Sequence, residues 1–184
     1  WAGGVMASGG YYVAVAADGI MAGPTATVGS IGVIINHLEA SDAIRKLGIK
    51  ADPIVSGEHK DMGSPLREMT PEERRLLQEY VDASHRRFVE VVARGRKLLP
   101  EQVAKLANGD IFTAEDALKH GLVDRVGYVE DALDWIGELS GHPRLRVIAY
   151  RRPFSLERMF REVGRETARS FWENSPLRAR PAVE

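Results

Sequence analysis

Residues 11–17 form an uncharged, alanine-rich run, led by Val5 and Met6 and ended by Asp18. The run predicts a buried helix whose first turn begins at or just after Ser8. Residues 19–23 read as a short buried strand, and Gly23-Pro24-Thr25 as a turn. The β-branched residues of 26–35 predict another strand. Gly29 and Gly32 inside it imply that something lies close to its backbone. Residues 38–47 predict an amphipathic helix with Ala43, Ile44 and Leu47 on one face, closed by Gly48. Residues 49–55 are extended and interrupted by Pro53. Residues 56–65 are polar, glycine-bounded and aperiodic, hence a loop. Thr70-Pro71-Glu72-Glu73 then starts a long helix, with Thr70 as N-cap, Pro71 at N1 and Glu73 completing a capping box. It runs to about Arg96, with Leu77, Tyr80, Val81, Phe88, Val91 and Val92 as its apolar stripe. Short helices follow at 100–107 and 114–120, the second capped by Thr113 and ended by Gly121. A strand at 122–126, a helix at 129–139 and a strand at 145–150 complete the main pattern. After Pro153 an arginine-rich amphipathic helix is expected at 155–172, followed by a proline-containing tail.

Strands alternate with helices, which predicts an α/β layered fold with a mainly parallel sheet. The domain reading is a main domain at 1–153 and a C-terminal helix with its tail at 154–184. The chain has 184 residues and a formal net charge of −1, so bulk electrostatics make no case for nucleic-acid binding. It has no cysteine, which excludes disulfides and thiolate chemistry within these residues. No run of 18 apolar residues is present, so no membrane-spanning helix is predicted. A buried helix this close to Trp1 has little before it to pack against. The expectation is that strands and an anchor preceding Ser8 lie outside these residues.

Ser8 is the first candidate for chemistry. Gly9 and Gly10 after it permit a tight turn and close approach of another molecule. The first helical amides, having no intrahelical acceptor, point beside the hydroxyl. Ser8 is either an ordinary N-cap or a nucleophile next to donors for an oxyanion. From this segment alone the cap is the plainer reading. Ser30, between Gly29 and Gly32, is either a polar residue at a bend or a hydroxyl presented to a pocket. A serine nucleophile needs a base. His37, His59, His85, His120 and His142 have no matching acid in a recognisable motif, and each reads as structural or solvated. Lysine is the other option, provided its pKa of about 10.4 falls toward 7–8. Lys60 lies in the glycine-bounded loop. Asp61 would raise its pKa if the two paired, so a catalytic Lys60 requires Asp61 to point elsewhere.

Three segments taken together, M-A-S-G-G-Y-Y, T-V-G-S-I-G-V-I and G-E-H-K-D-M-G-S-P-L-R-E-M-T-P-E-E-R, resemble the signal peptide peptidase A family of serine peptidases. The later G-D-I-F-T-A-E-D-A-L-K-H-G-L-V-D-R-V-G is similar to the family's segment after the long helix. The matches run in order over roughly residues 5–133. The resemblance implies a Clp protease/crotonase-like fold and a Ser/Lys dyad, with Ser8 as nucleophile and Lys60 as general base. It implies that Ser30 hydrogen-bonds the lysine, and that the Gly9 amide donates to the oxyanion. The family's other oxyanion donor comes from a glycine-rich segment before the nucleophile, and Gly3-Gly4 is too close to Ser8 to be that segment.

The activity implied is hydrolysis of signal-peptide remnants and other short apolar peptides through an acyl-enzyme, with no cofactor and no metal. The partners implied are peptide substrates and further copies of the chain, with active sites near subunit interfaces and Ser8 and Lys60 drawn from one copy or two. Membrane association is expected through a segment absent from this chain, with the catalytic domain on the extracytoplasmic side of a bacterial or archaeal membrane. The rivals are an acyl-CoA-binding crotonase-like domain, which would carry Glu or Asp at the reacting centre, and an inactive scaffold.

Overall fold

The short apolar segments at the start of the chain become strands because each finds a neighbouring segment with which to share hydrogen bonds, although none is long enough to show an alternating pattern. In the computed structural model, residues 1–142 and 146–148 are described. The chain divides into two units, Trp1–Leu145 and Arg146–Glu184. The helix expected at 155–172 and its tail lie outside the described residues, as do residues 145, 149 and 150 of the strand expected at 145–150; residues 146–148 have no regular structure. The first unit runs β1 (Val5–Ala7), α1 (Gly9–Ala14), β2 (Met21–Ala22), β3 (Thr27–Gly29), α2 (Ser41–Lys46) and α3 (Pro71–Arg96). It continues through α4 (Pro100–Leu106), β4 (Ile111–Thr113), α5 (Ala114–Lys119), β5 (Arg125–Val126) and α6 (Val129–Ser140).

β3 is the middle strand of a three-stranded sheet, parallel to β1 and antiparallel to β4. β2 and β5 form a separate parallel pair. The mixed α/β class follows the sequence pattern, with one antiparallel pairing that the pattern did not predict. The strand expected over 26–35 stops at Gly29, where the backbone turns to φ +106, followed by Ser30 at φ 48. The strand expected at 122–126 is regular only from Arg125, although Leu122 and Val123 are buried. Residues 49–55 pair with no strand, and Ile54 among them is fully exposed.

The core gathers Tyr11, Val28, Ile31, Val92, Val103 and Leu122, all essentially inaccessible to solvent. α1 finds its cover in α3, a partner more than 70 positions downstream. Tyr12 meets Phe88 edge-on at 5.2 Å between ring centroids, a favoured aromatic geometry. Gly95 of α3 lies so close to α1 that a Cβ there would stand 2.3 Å from the Val15 carbonyl oxygen. The buried Tyr11 hydroxyl donates to the Leu122 carbonyl at 2.8 Å. The far end of α3 is fastened by Arg96, which donates to the Gly121 carbonyl at 2.8 Å and pairs with Asp124 at 2.6 and 2.9 Å.

The start of α3 forms as its sequence dictates. Thr70 Oγ1 accepts from the Glu73 amide at 3.2 Å, and Glu73 Oε2 accepts from the Thr70 amide at 2.8 Å. The apolar stripe of α3 is only half buried. Phe88 and Val92 enter the core, whereas Tyr80 is 65% exposed, because the front half of the helix overhangs a cavity instead of the sheet.

Candidate active site

β1 and β3 run parallel with Ala7 opposite Gly29, so the next residue on each strand, Ser8 and Ser30, emerges at the same edge of the sheet. Carboxyl ends of parallel strands are where open α/β sheets bind ligands. The Ser8 amide donates to the Gly29 carbonyl at 2.8 Å, and the Ser30 amide to the Asp110 carbonyl at 2.7 Å. Both serines have positive φ, 50° and 48°; among the described non-glycine residues only Lys97, which ends α3 in the left-handed conformation, shares this property. A Cβ at Gly29 would sit 2.7 Å from Phe112 and 2.9 Å from the Asp110 carbonyl oxygen. Residue 29 must therefore be glycine, and the chain leaves the sheet immediately after it.

Ser8 has φ 50 and ψ −123 and makes no side-chain capping bond to α1. The N-cap reading therefore fails. Ser8 is exposed, on a sharp turn from β1 into α1, and turns of that kind present nucleophiles in other folds, where the amide of the next residue serves as an oxyanion donor. Here the next residue is Gly9. A Cβ at Gly9 or Gly10 would meet nothing within 4 Å. Neither glycine is demanded by packing within the chain, and Gly9 lines the cavity at Ser8.

Ser8 opens into a cavity of about 660 Å³. α1 contributes Gly9 and Tyr12, and the segment after β3 contributes Gly32, Val33 and Ile34. The front half of α3 contributes Tyr80, Ala83, Ser84, Arg87 and Phe88. The walls are largely apolar, with the guanidinium of Arg87 and the hydroxyls of Tyr80 and Ser84 as polar exceptions. The sequence reading missed this role for Tyr80 and Arg87. Helical periodicity marks a face as apolar without saying whether core or cavity lies beyond it.

Lys60 is exposed in the 56–65 loop, where its amide donates to the Gly57 carbonyl at 3.0 Å. It does not line the cavity at Ser8. The structure thus brings Ser8, Gly9 and Ser30 to one sheet edge and leaves Lys60 outside that group. No ion pair between Asp61 and Lys60 occurs among the described residues; Asp61 is held by Nε and Nη2 of Arg67, each at 2.8 Å. That pairing lowers the Asp61 carboxyl below its ordinary pKa. Arg67 also binds Glu73, whose carboxyl falls to about 2, first through Arg67 and then through the Thr70 amide.

The histidines separate. His85 bonds to the Ala107 carbonyl at 2.6 Å, so it fastens α3 to the end of α4 and is not the solvated residue its charged neighbours suggest. His120 stacks edge-on with Phe112 at 5.3 Å, and His142 bonds to the Ser140 carbonyl at 2.8 Å. His59 is exposed. Both ring nitrogens of His37 are shielded from solvent with no partner among the described residues. No group of three or more carboxylate or imidazole side chains capable of holding a metal occurs among the described residues.

The model of peptidase family S49 matches residues 1–142. The chain belongs to peptidase family S49. Relatives carry the same assignment across distant organisms. "Putative signal peptide peptidase SppA" of Enterococcus faecium is 43% identical over 145 residues, 79% of this chain and 42% of the relative. "Protease 4" of Salmonella typhi is 36% identical over 75% of this chain and 22% of its own length. "Serine protease SPPA, chloroplastic" of Arabidopsis thaliana is 32% identical over 70% of this chain and 19% of its own. The chain therefore spans at most about half the length of these curated S49 relatives. Among the described residues, no helix is long and apolar enough to cross a membrane.

Proposed function

We propose that this S49 chain carries the catalytic serine of an endopeptidase that hydrolyses signal-peptide remnants and other short apolar peptides through an acyl-enzyme. The observation that supports this most strongly is Ser8: an uncapped, exposed hydroxyl on a strained strand-to-helix turn, opening into an apolar cavity. An L-residue in such a conformation stores about 1–3 kcal/mol of strain, and such strain clusters at functional sites.

In this mechanism Ser8 Oγ attacks the scissile carbonyl and transfers its proton to the neutral Lys60 amine. The tetrahedral oxyanion accepts a hydrogen bond from the Gly9 amide. The lysine then protonates the leaving amine, and a water molecule repeats the sequence on the ester. Ser30, a neutral hydroxyl, orients the lysine without favouring its charged form. No cofactor takes part. Lys60 stands outside the cavity lining, so the dyad is completed by Lys60 of a neighbouring copy in an oligomer. The proposed setting is the extracytoplasmic face of a membrane.

The same placement of Lys60 favours a second reading, a scaffold that retained the fold without the activity. Hydrolysis of a short apolar reporter peptide by the intact protein separates the two. Ser8→Ala is expected to abolish turnover, and Lys60→Ala to reduce it about 10²–10⁴-fold, the usual worth of a general base. A wild-type protein that cleaves nothing supports the scaffold. Full activity in Lys60→Ala removes Lys60 as base and directs attention to His37 and His59.

A further inference from the structure

Arg67 stands six positions after Asp61 and six before Glu73, and it engages both. Its Nε donates to Asp61 Oδ2 and its Nη2 to Oδ1, each at 2.8 Å, the fork-on-fork geometry that gives arginine–carboxylate pairs their directionality. Nη1 donates to Glu73 Oε2 at 2.9 Å, and Nη2 also reaches Oε1. Nη1 further donates to the Glu68 carbonyl at 3.1 Å. Glu73 is not free to follow the loop. It is buried, with only 3% of its surface exposed, and it is locked into the capping box of the 26-residue helix α3. One guanidinium therefore ties the residue next to Lys60 to the capped start of α3.

We propose that Arg67 is a positioning residue for the base: it fixes the 56–65 loop to α3 and holds the Asp61 carboxylate away from the Lys60 amine. This rests on the base role given to Lys60 above. A lysine base must lose its proton near neutral pH, and a carboxylate within 4–6 Å opposes that by about 1–3 pKa units. The charged groups carried by the loop and the segments tied to it are Glu58, His59 and Asp61, then Arg67 and Glu68, then Glu73. Of the carboxylates, Asp61 is adjacent to Lys60 in sequence, and the guanidinium determines which way it points. A lysine at position 67 would keep the charge without the fork that grips two carboxylates at once.

The test is the pH dependence of kcat/KM in the intact protein, measured for wild type, Arg67→Gln and the double variant Arg67→Gln/Asp61→Asn. Releasing Asp61 in Arg67→Gln is expected to move the acid limb of the profile up by about one pH unit or more, a roughly tenfold loss at a pH on that limb. Removing the released charge in the double variant is expected to return the limb to its wild-type position. If Arg67→Gln fails to fold, Arg67→Lys is measured in its place, with a smaller displacement in the same direction expected. An Arg67 variant whose profile is lowered but not displaced overturns the proposal, as does a double variant that stays displaced. Lys60→Ala keeps the two ideas apart. Full activity there removes the base itself, whereas an inactive Lys60→Ala beside an undisplaced Arg67 profile removes only the clamp.

Discussion

Replacing Ser8 with glycine is expected to abolish hydrolysis and, at the same time, to stabilise the fold. At φ 50 and ψ −123 the Cβ of Ser8 is the source of backbone strain worth about 1–3 kcal/mol. Glycine removes that strain but gains conformational freedom in the unfolded chain, a penalty of roughly 0.5–1 kcal/mol. Nothing else enters the sum: the hydroxyl makes no capping bond and the side chain is exposed. The net effect is a gain of about 1 kcal/mol, or roughly 2–4 °C in Tm for a chain of this size. The proper reference is Ser8→Ala, which lacks the hydroxyl but keeps the Cβ and so keeps the strain. Equilibrium urea unfolding of both variants gives the difference, read from the midpoints at equal slope. A glycine variant no more stable than the alanine variant refutes the claim that Ser8 is strained. It would also remove the strongest support for its role as nucleophile.

Gly95→Ala is expected to destabilise the protein by about 1–3 kcal/mol through overpacking, since its Cβ would lie 2.3 Å from the Val15 carbonyl oxygen. Helix propensity alone predicts the opposite, a gain of about 1 kcal/mol, so the sign of the urea midpoint shift decides. Glu73 titrates at about 2 in the folded protein against an ordinary 4.5. A carboxyl with a depressed folded pKa stabilises fully above its unfolded value and loses that contribution as pH falls toward the folded one. Thermal melts are therefore expected to drop between about pH 4.5 and 2, with a smaller drop over that window in Glu73→Gln. Equal pH dependence in the two proteins would contradict the ion pair with Arg67.

Local signals were legible wherever the partners of a group lie within a few residues of it. The capping box of Thr70 and Glu73 formed as read. Thr113 caps α5 by accepting from the Asp116 amide at 3.1 Å, and Gly121 ends it with φ +71. Ser8 and Ser30 drew notice in the sequence because each has glycines within two residues of it. β1 and β4 were not legible. Three-residue strands carry no measurable periodicity, and they exist because β3 lies between them and satisfies their backbone groups.

By itself, then, the sequence determined where the long helix begins and ends and which loop carries the lysine, and it left Ser8 and Ser30 as candidates with two readings each. These depend on hydrogen bonds and dihedral preferences a few residues in range. Only the tertiary structure decided that Ser8 makes no capping bond, that the front of α3 walls a cavity, and that Arg67 pairs with both Asp61 and Glu73. Each of these depends on which distant segment occupies the neighbouring space: Gly29 crowded by Phe112, α1 pressed on Gly95, one guanidinium shared between two carboxylates. Contacts of that kind are set by packing and three-dimensional geometry, and the order of residues along the chain does not encode them locally.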